Sequence, residues 1–455
     1  MVFMRKKYFF LLFFGLLAFG RVWCTENVLQ DKVIAKTKAA WSVLVYIAAD
    51  NNLAPYALYN INDMSAGMVS TNGCNVLVQW DKPRENKTWR YQITPGSKID
   101  AGSISSEMGY NTVNELVASM KWVVTNYPAD KYALILWDHG SGIADFMPGS
   151  RAFTRGILYD DSQRTCLTNQ GLTTALAQIK ALIGHNLDIL ATDACLMAMA
   201  EVAYQVKDSV DLFIGSQETI PGNGYSYSKF IKPLSTNPAG TTPLQLAQYI
   251  INGYANFYTN TEPTSDFTLS SIDVTKISSV KTSIDLFVAA VNACSKLDAK
   301  ATKNMIVAAR KATISFAMPE YVDLYSFYAN VLKQLKTKSP KSALILDQYN
   351  KYLRPKPKKP KKPASKPKPK PKPAPKPTVT SVKAYKAALE DLKLAAQNGI
   401  NQVLNVVAQN STGPVYSGVG GVSIYYPRFG SIHSSYPKTL FAKNTAWSKF
   451  ILAYR

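Results

Sequence analysis

Tyr132-Ala-Leu-Ile-Leu-Trp137 runs into Asp138-His139-Gly140-Ser141-Gly142, and Leu187-Asp-Ile-Leu-Ala-Thr192 runs into Asp193-Ala194-Cys195-Leu196-Met197. A continuous apolar run of about six residues is the pattern of a parallel-sheet strand covered on both faces. Side chains just past the carboxyl ends of such strands meet in the crevice where open α/β sheets do their chemistry. One strand delivers an imidazole and the other a thiol, the raw material of a cysteine hydrolase.

Around these two runs the chain alternates apolar stretches with helical spacing, the signature of βαβ units. Residues 42–48 and 75–79 are the first strands, and residues 88–93 alternate as a nearby hairpin strand. Asp50-Asn51-Asn52-Leu53 supplies the turn and cap for the first helix. Helical patterns follow at 111–127, 169–183 and 196–206, the last placed directly behind Cys195. Residues 210–215 and 267–272 are further strands, and 275–353 carry mostly helical periodicity. After 381 the pattern is helical again to 408, strand-like over 418–426, and helical at 447–454.

At 455 residues the chain can build a large core. Its start is not part of that core. Arg5-Lys6-Lys7 precedes a short apolar stretch with small residues after it, which predicts a cleaved signal peptide over 1–24 and export to the periplasm, envelope or medium. Trp23 before Cys24 is too bulky for a lipoprotein signal. The formal charge of +22 suggests nucleic acid until it is located: residues 354–377 hold one Arg and ten Lys without an acid. Proline and like charge disfavour helix and sheet there, so the tract is expected to be disordered. It suits an anionic envelope surface, and without stacking aromatics no nucleic-acid partner is expected.

The five cysteines are too sparse for a disulfide scaffold, and Cys74 and Cys294 have the pattern of small buried hydrophobes. The three histidines show no zinc spacing with them, so no metal and no cofactor is expected. Cys195 lies between a strand and the expected helix, whose N-terminus would favour a thiolate. His139 supplies acid/base chemistry. The N–H groups of Gly140 and Cys195 are candidates for binding an oxyanion, with Gly140 allowing close approach of substrate.

Trp137-Asp-His-Gly-Ser-Gly142 with Thr192-Asp-Ala-Cys-Leu-Met197 resembles the clostripain family of cysteine endopeptidases, relatives of the caspase-like, gingipain and legumain-type enzymes. Val43–Leu53, Leu158-Tyr-Asp-Asp161, Ile214–Gly222, Gly421–Pro427 and Trp447–Phe450 extend the resemblance along most of the chain. It implies a caspase-like α/β sandwich around a mostly parallel sheet, with Cys195 as nucleophile, His139 as partner and no obligatory third residue. The catalytic core would span 41–272, a helical region 273–353, and 378–455 would complete the domain with a helix, a closing strand and a last helix. The Lys/Pro tract is then an insertion within that domain.

The resemblance also implies cleavage after Arg or Lys, which needs a carboxylate in the S1 pocket. Asp193 matches one such position; its other candidate role is capping the helix behind Cys195. A second acid is common where this chain has Asn223, so the basic preference is expected to be weaker or shifted. Relatives are often self-cleaved in the loop after the histidine, where Arg151 and Arg155 stand. Some use calcium, for which Asp160 and Asp161 have suitable chemistry. The alternative reading is an envelope-associated binding or scaffold protein that keeps this fold with weak or lost activity.

Overall fold

The structure, a computed structural model, describes residues 38–145, 156–336 and 379–455. The signal segment, Arg151, Arg155 and the 354–377 tract lie outside the described residues. In chain order the strands begin with β1 (Ala39–Ala48), β2 (Cys74–Asp81), β3 (Thr88–Thr94), β4 (Ser97–Asp100) and β5 (Ala129–Trp137). β6 (Ile157–Asp160), β7 (Thr165–Leu167), β8 (Leu187–Asp193), β9 (Val210–Gly215) and β10 (Thr268–Asp273) follow. The last are β11 (Tyr321–Asp323), β12 (Val407–Thr412) and β13 (Ser423–Tyr425).

Nine strands form one sheet in the order β12-β10-β9-β8-β5-β1-β2-β3-β4. The central five, from β9 to β2, are parallel, and the strands flanking them pair antiparallel. The apolar runs alternate between two cores, as a doubly covered sheet requires. Leu44 and Tyr46 of β1, with Leu134 and Leu136 of β5, face one core. Val43, Val45 and Ile47, with Ile135 and Trp137, face the other. Helix α1 (Ala54–Gly67), α5 (Tyr227–Thr236) and α6 (Pro243–Asn256) cover the second face. The first face carries α2 (Thr112–Asn126), α3 (Asn169–Ile183), α4 (Ala200–Val206), α7 (Ile277–Leu297), α8 (Ala299–Ala312), α9 (324–336) and α10 (Val379–Val406). There α10 packs on α7 through a stripe of Ala388, Leu392, Ala396, Ile400 and Val403 at spacings of three and four.

The chain runs from β1 outward to β2, then returns to β5 on the other side of β1. That reversal puts a topological switch point between β1 and β5, the place where open α/β sheets bind ligands beyond the carboxyl ends of their strands.

Four expectations differ from the structure. The helix expected from Leu196 begins at Ala200, because Leu196 and Ala198 donate their N–H groups to Glu218 and Ser216 on a neighbouring segment. The strand-like stretch 418–426 shortens to β13, which pairs with β11 in a separate two-stranded sheet. The strand that extends the main sheet is instead β12, a polar edge strand whose first two residues belong to the expected helix and whose last four carry no assignment from sequence. β11 itself interrupts the region expected to be helical.

Candidate active site

His139 follows β5 and Cys195 follows β8, and the two strands are hydrogen-bonded in parallel register, with Trp137 opposite Asp193. The loops stay together past the strand ends. The Asp138 N–H donates to the Asp193 carbonyl (3.2 Å). A Cβ at Gly140 would lie 2.4 Å from the Cys195 carbonyl oxygen and 3.1 Å from its nitrogen. Glycine is therefore required at 140 by the Cys195 backbone, a different partner from the substrate expected from sequence. Among the described residues, neither the Gly140 nor the Cys195 N–H donates to another group.

Asp138 is buried and holds the histidine loop. Its Oδ1 accepts from Asn51 Nδ2 (2.7 Å) and its Oδ2 from the Tyr159 N–H. Asn51 also donates to the carbonyls of Ala48 and Tyr159, so one amide ties the ends of β1, β5 and β6. The next residue, Asn52, places its Oδ1 2.9 Å from His139 Nε2. Sequence reading missed this contact, although the signal was present: two amides directly after the first buried strand.

The cysteine loop is a tight turn rather than a helix start. Leu196 sits at φ 64°, a left-handed conformation costly for a branched side chain. The 216–220 segment runs beside the turn, and the Ile220 N–H donates to Cys195 Sγ (3.3 Å). No helix N-terminus offsets the burial of the thiol, since α4 begins only at Ala200. Desolvation pushes Cys195 up to about 11, opposed by the Ile220 N–H and reinforced by the charges of Asp193, Glu218 and Asp138. The resting group is a thiol.

Asp193 does not cap a helix. Its Oδ2 accepts from the Tyr225 N–H and the Tyr227 hydroxyl, each at 2.9 Å, and no described group bonds Oδ1. Burial raises Asp193 to about 7 against those two bonds. Asn223 lies on the same loop and donates to Glu262, an acid that sequence spacing could not connect to the site. The β11–β13 sheet braces both loops: the Tyr321 hydroxyl donates to Ser141 O (2.7 Å) and the Ser423 N–H to Ala198 O (2.8 Å).

Asp160 is buried with one oxygen on the Gln163 N–H, while Asp161 is exposed. Among the described residues no group of three His, Cys, Asp or Glu is arranged to hold a metal. Burial, with repulsion from Asp160 and Asp50, raises Asp81 to about 8, so this acidic group retains protons. Cys74 and Cys294 are buried free thiols, as their pattern predicts.

The chain matches the family model described as the Clostripain family over residues 45–453. It is 26% identical to clostripain of Hathewaya histolytica over 337 residues, which is 63% of this chain and 61% of that protein. The chain thus spans less than two thirds of that relative's length. A secreted C11 cysteine protease from Bacteroides thetaiotaomicron, solved with an irreversible peptide inhibitor, has the same fold. It superimposes with a TM-score of 0.58 at 18% identity, covering 90% of this chain and 99% of that one. An inactive zymogen C11 protease from Parabacteroides distasonis gives 0.55 at 18% identity with the same coverage. The family match runs from β1, through the His139 and Cys195 loops, into the last helix, α12 (Trp447–Tyr454), and the chain belongs to the clostripain family.

Proposed function

We propose that the protein is an exported cysteine endopeptidase acting through Cys195 and His139, with a preference for Arg or Lys at P1. The observation that carries this reading is the shared register of β5 and β8, which keeps the His139 and Cys195 loops in backbone contact. With Asn52 Oδ1 accepting from Nε2–H, Nδ1 of His139 is the nitrogen that exchanges protons with the thiol.

His139 removes the Cys195 proton as sulfur bonds to the scissile carbonyl carbon, an order suited to a thiol held protonated at rest. The oxyanion is received by the Gly140 and Cys195 N–H groups. The C–N bond then breaks and the imidazolium gives its proton to the leaving amine. Water, deprotonated by His139, adds to the thioester and expels the Cys195 sulfur, which recovers a proton. The uncommitted Oδ1 of Asp193 is the acceptor for a basic P1 side chain.

Arg151 and Arg155 are the proposed self-cleavage points, since both offer the basic residue that the site selects. The zymogen described for the Parabacteroides distasonis protein supports looking for such a step. Residues 1–24 direct export, and the 354–377 tract adds a cationic segment for anionic envelope polymers.

The test is hydrolysis of peptides varied at P1 by processed wild type and by Cys195→Ala. Wild type is expected to cleave after Arg and Lys, and Cys195→Ala to lose at least about 10⁴-fold of that turnover and to remain an unsplit chain. Equal hydrolysis by Cys195→Ala, or none by processed wild type, overturns the reading.

A further inference from the structure

We propose that Glu262, held in place by Asn223, is the second acid of the P1 pocket and selects a basic side chain together with Asp193. This rests on the endopeptidase reading above and names the residue that gives the site its charge preference.

The loop from Ile220 to Tyr225 connects the thiol to the buried carboxylate. At one end the Ile220 N–H bonds Cys195 Sγ, and at the other the Tyr225 N–H bonds Asp193 Oδ2. Between them the Gly224 N–H closes a turn on Pro221 O (2.9 Å). Gly224, at φ 64°, lies so close to Asp193 that a Cβ there would meet its Oδ2 at 2.6 Å. Asn223 therefore stands beside the glycine that packs on Asp193, on the loop that links the thiol to that carboxylate.

Two contacts fix Asn223 and Glu262 against that stretch. The Asn223 carbonyl accepts from Asn60 Nδ2 (2.9 Å), and the buried Asn60 also accepts from Trp137 Nε1 on the histidine strand (2.8 Å). Glu262 closes the short turn Phe257–Thr261 after α6, its N–H on Phe257 O. In the same turn, the Tyr258 hydroxyl donates to Gly224 O (2.9 Å). The Asn223 amide then donates to a Glu262 carboxylate oxygen.

Electrostatics agree with this placement. The Tyr258 phenol is held well above its usual range by burial, then by the charges of Asp193 and of Glu262. The carboxylates of Asp193 and Glu262 thus act on the same group. Among the described residues neither has a Lys or Arg within ion-pair distance. Uncompensated negative charge on both sides of a pocket suits a guanidinium or an ammonium. Asn223 thus moves the second acid outward by one side chain and does not remove it.

The experiment compares two peptides differing only in Arg or citrulline at P1, the second being a neutral isostere. Wild type, Glu262→Gln, Asn223→Asp and the double variant N223D/E262Q are assayed at low salt. The Arg-to-citrulline ratio of kcat/KM is expected to fall about tenfold in Glu262→Gln and to recover in the double variant, which returns a carboxylate to the loop. An unchanged ratio in Glu262→Gln, with wild type still preferring Arg, overturns this inference alone. A double variant that stays at the Glu262→Gln ratio also overturns it, because the charge was then not the cause. Wild type without Arg preference, or without turnover that depends on Cys195, overturns the underlying reading as well.

Discussion

Asp138 and Asp193 occupy equivalent places at the ends of neighbouring parallel strands, one before the histidine and one two residues before the cysteine, yet their oxygens are used differently. Asp138 spends Oδ1 on Asn51 and Oδ2 on the Tyr159 N–H, so its carboxylate belongs to the scaffold of the histidine loop. Asp193 gathers both of its bonds on Oδ2, and no described group bonds its Oδ1. Two buried acids at neighbouring strand ends are therefore separated by hydrogen-bond accounting, one with both oxygens committed to the histidine loop and the other with both bonds on one oxygen, as the proposed P1 role of Asp193 requires.

The sharpest break of this comparison is substitution of each acid. Asp138→Ala leaves the Asn51 amide and the Tyr159 N–H without their acceptor and frees the histidine loop. Turnover is expected to fall by about 10³-fold for every P1 residue alike, with a stability loss of about 2–4 kcal/mol in denaturant unfolding. A loss confined to Arg and Lys substrates would place Asp138 in the pocket and reverse the assignment.

The thiol comes next. Carboxylates at both strand ends and desolvation keep Cys195 protonated, its pKa pushed up to about 11. Alkylation of resting enzyme by iodoacetamide is therefore expected to rise about tenfold per pH unit between about pH 7 and 9. A plateau below pH 8 would reveal a preformed thiolate–imidazolium pair and break that picture. Asp193→Asn follows in size: Asn still accepts from Tyr225 and Tyr227, so the fold is kept while the charge is lost. Here kcat/KM for P1 Arg is expected to drop about 30-fold, with a much smaller change for P1 citrulline. Equal losses on both peptides would return Asp193 to a structural role.

The parts of this site legible in sequence were those built from strands buried on both faces. The runs ending at Trp137 and Thr192 read as strands and are β5 and β8, so the places of His139 and Cys195 just past neighbouring strand ends were legible. The region after Cys195 was misread because Leu196-Met-Ala-Met199 is as apolar as a helix start; only the neighbouring 216–218 carbonyls, distant in sequence, divert its N–H groups. β12 was missed because Val407–Thr412 is a polar edge strand with no alternation to distinguish it from the helix before it. Glu262 was invisible for a similar reason. Its link to Asn223 spans 39 residues and a turn that no local pattern announces.

The smallest effect tests the pocket acid through pH. Burial raises Asp193 to about 7, so in the free enzyme it is protonated below that value and charged above it. The Arg-to-citrulline ratio of kcat/KM reports the free enzyme and is expected to rise about tenfold from pH 6 to pH 8, then level off. Stability moves the other way. Between about pH 4, where the unfolded carboxyl titrates, and about 7, the folded state holds a proton that the unfolded chain has released. Raising pH through that window therefore costs stability, and Asp193→Asn is expected to flatten the slope by removing the titrating group. Together the two readouts separate Asp193 from Asp138, since an acid whose oxygens hold the histidine loop acts on every P1 residue alike. A selectivity ratio flat from pH 6 to 8 in wild type would mean that Asp193 is already charged at pH 6, and that Tyr225 and Tyr227 outweigh its burial.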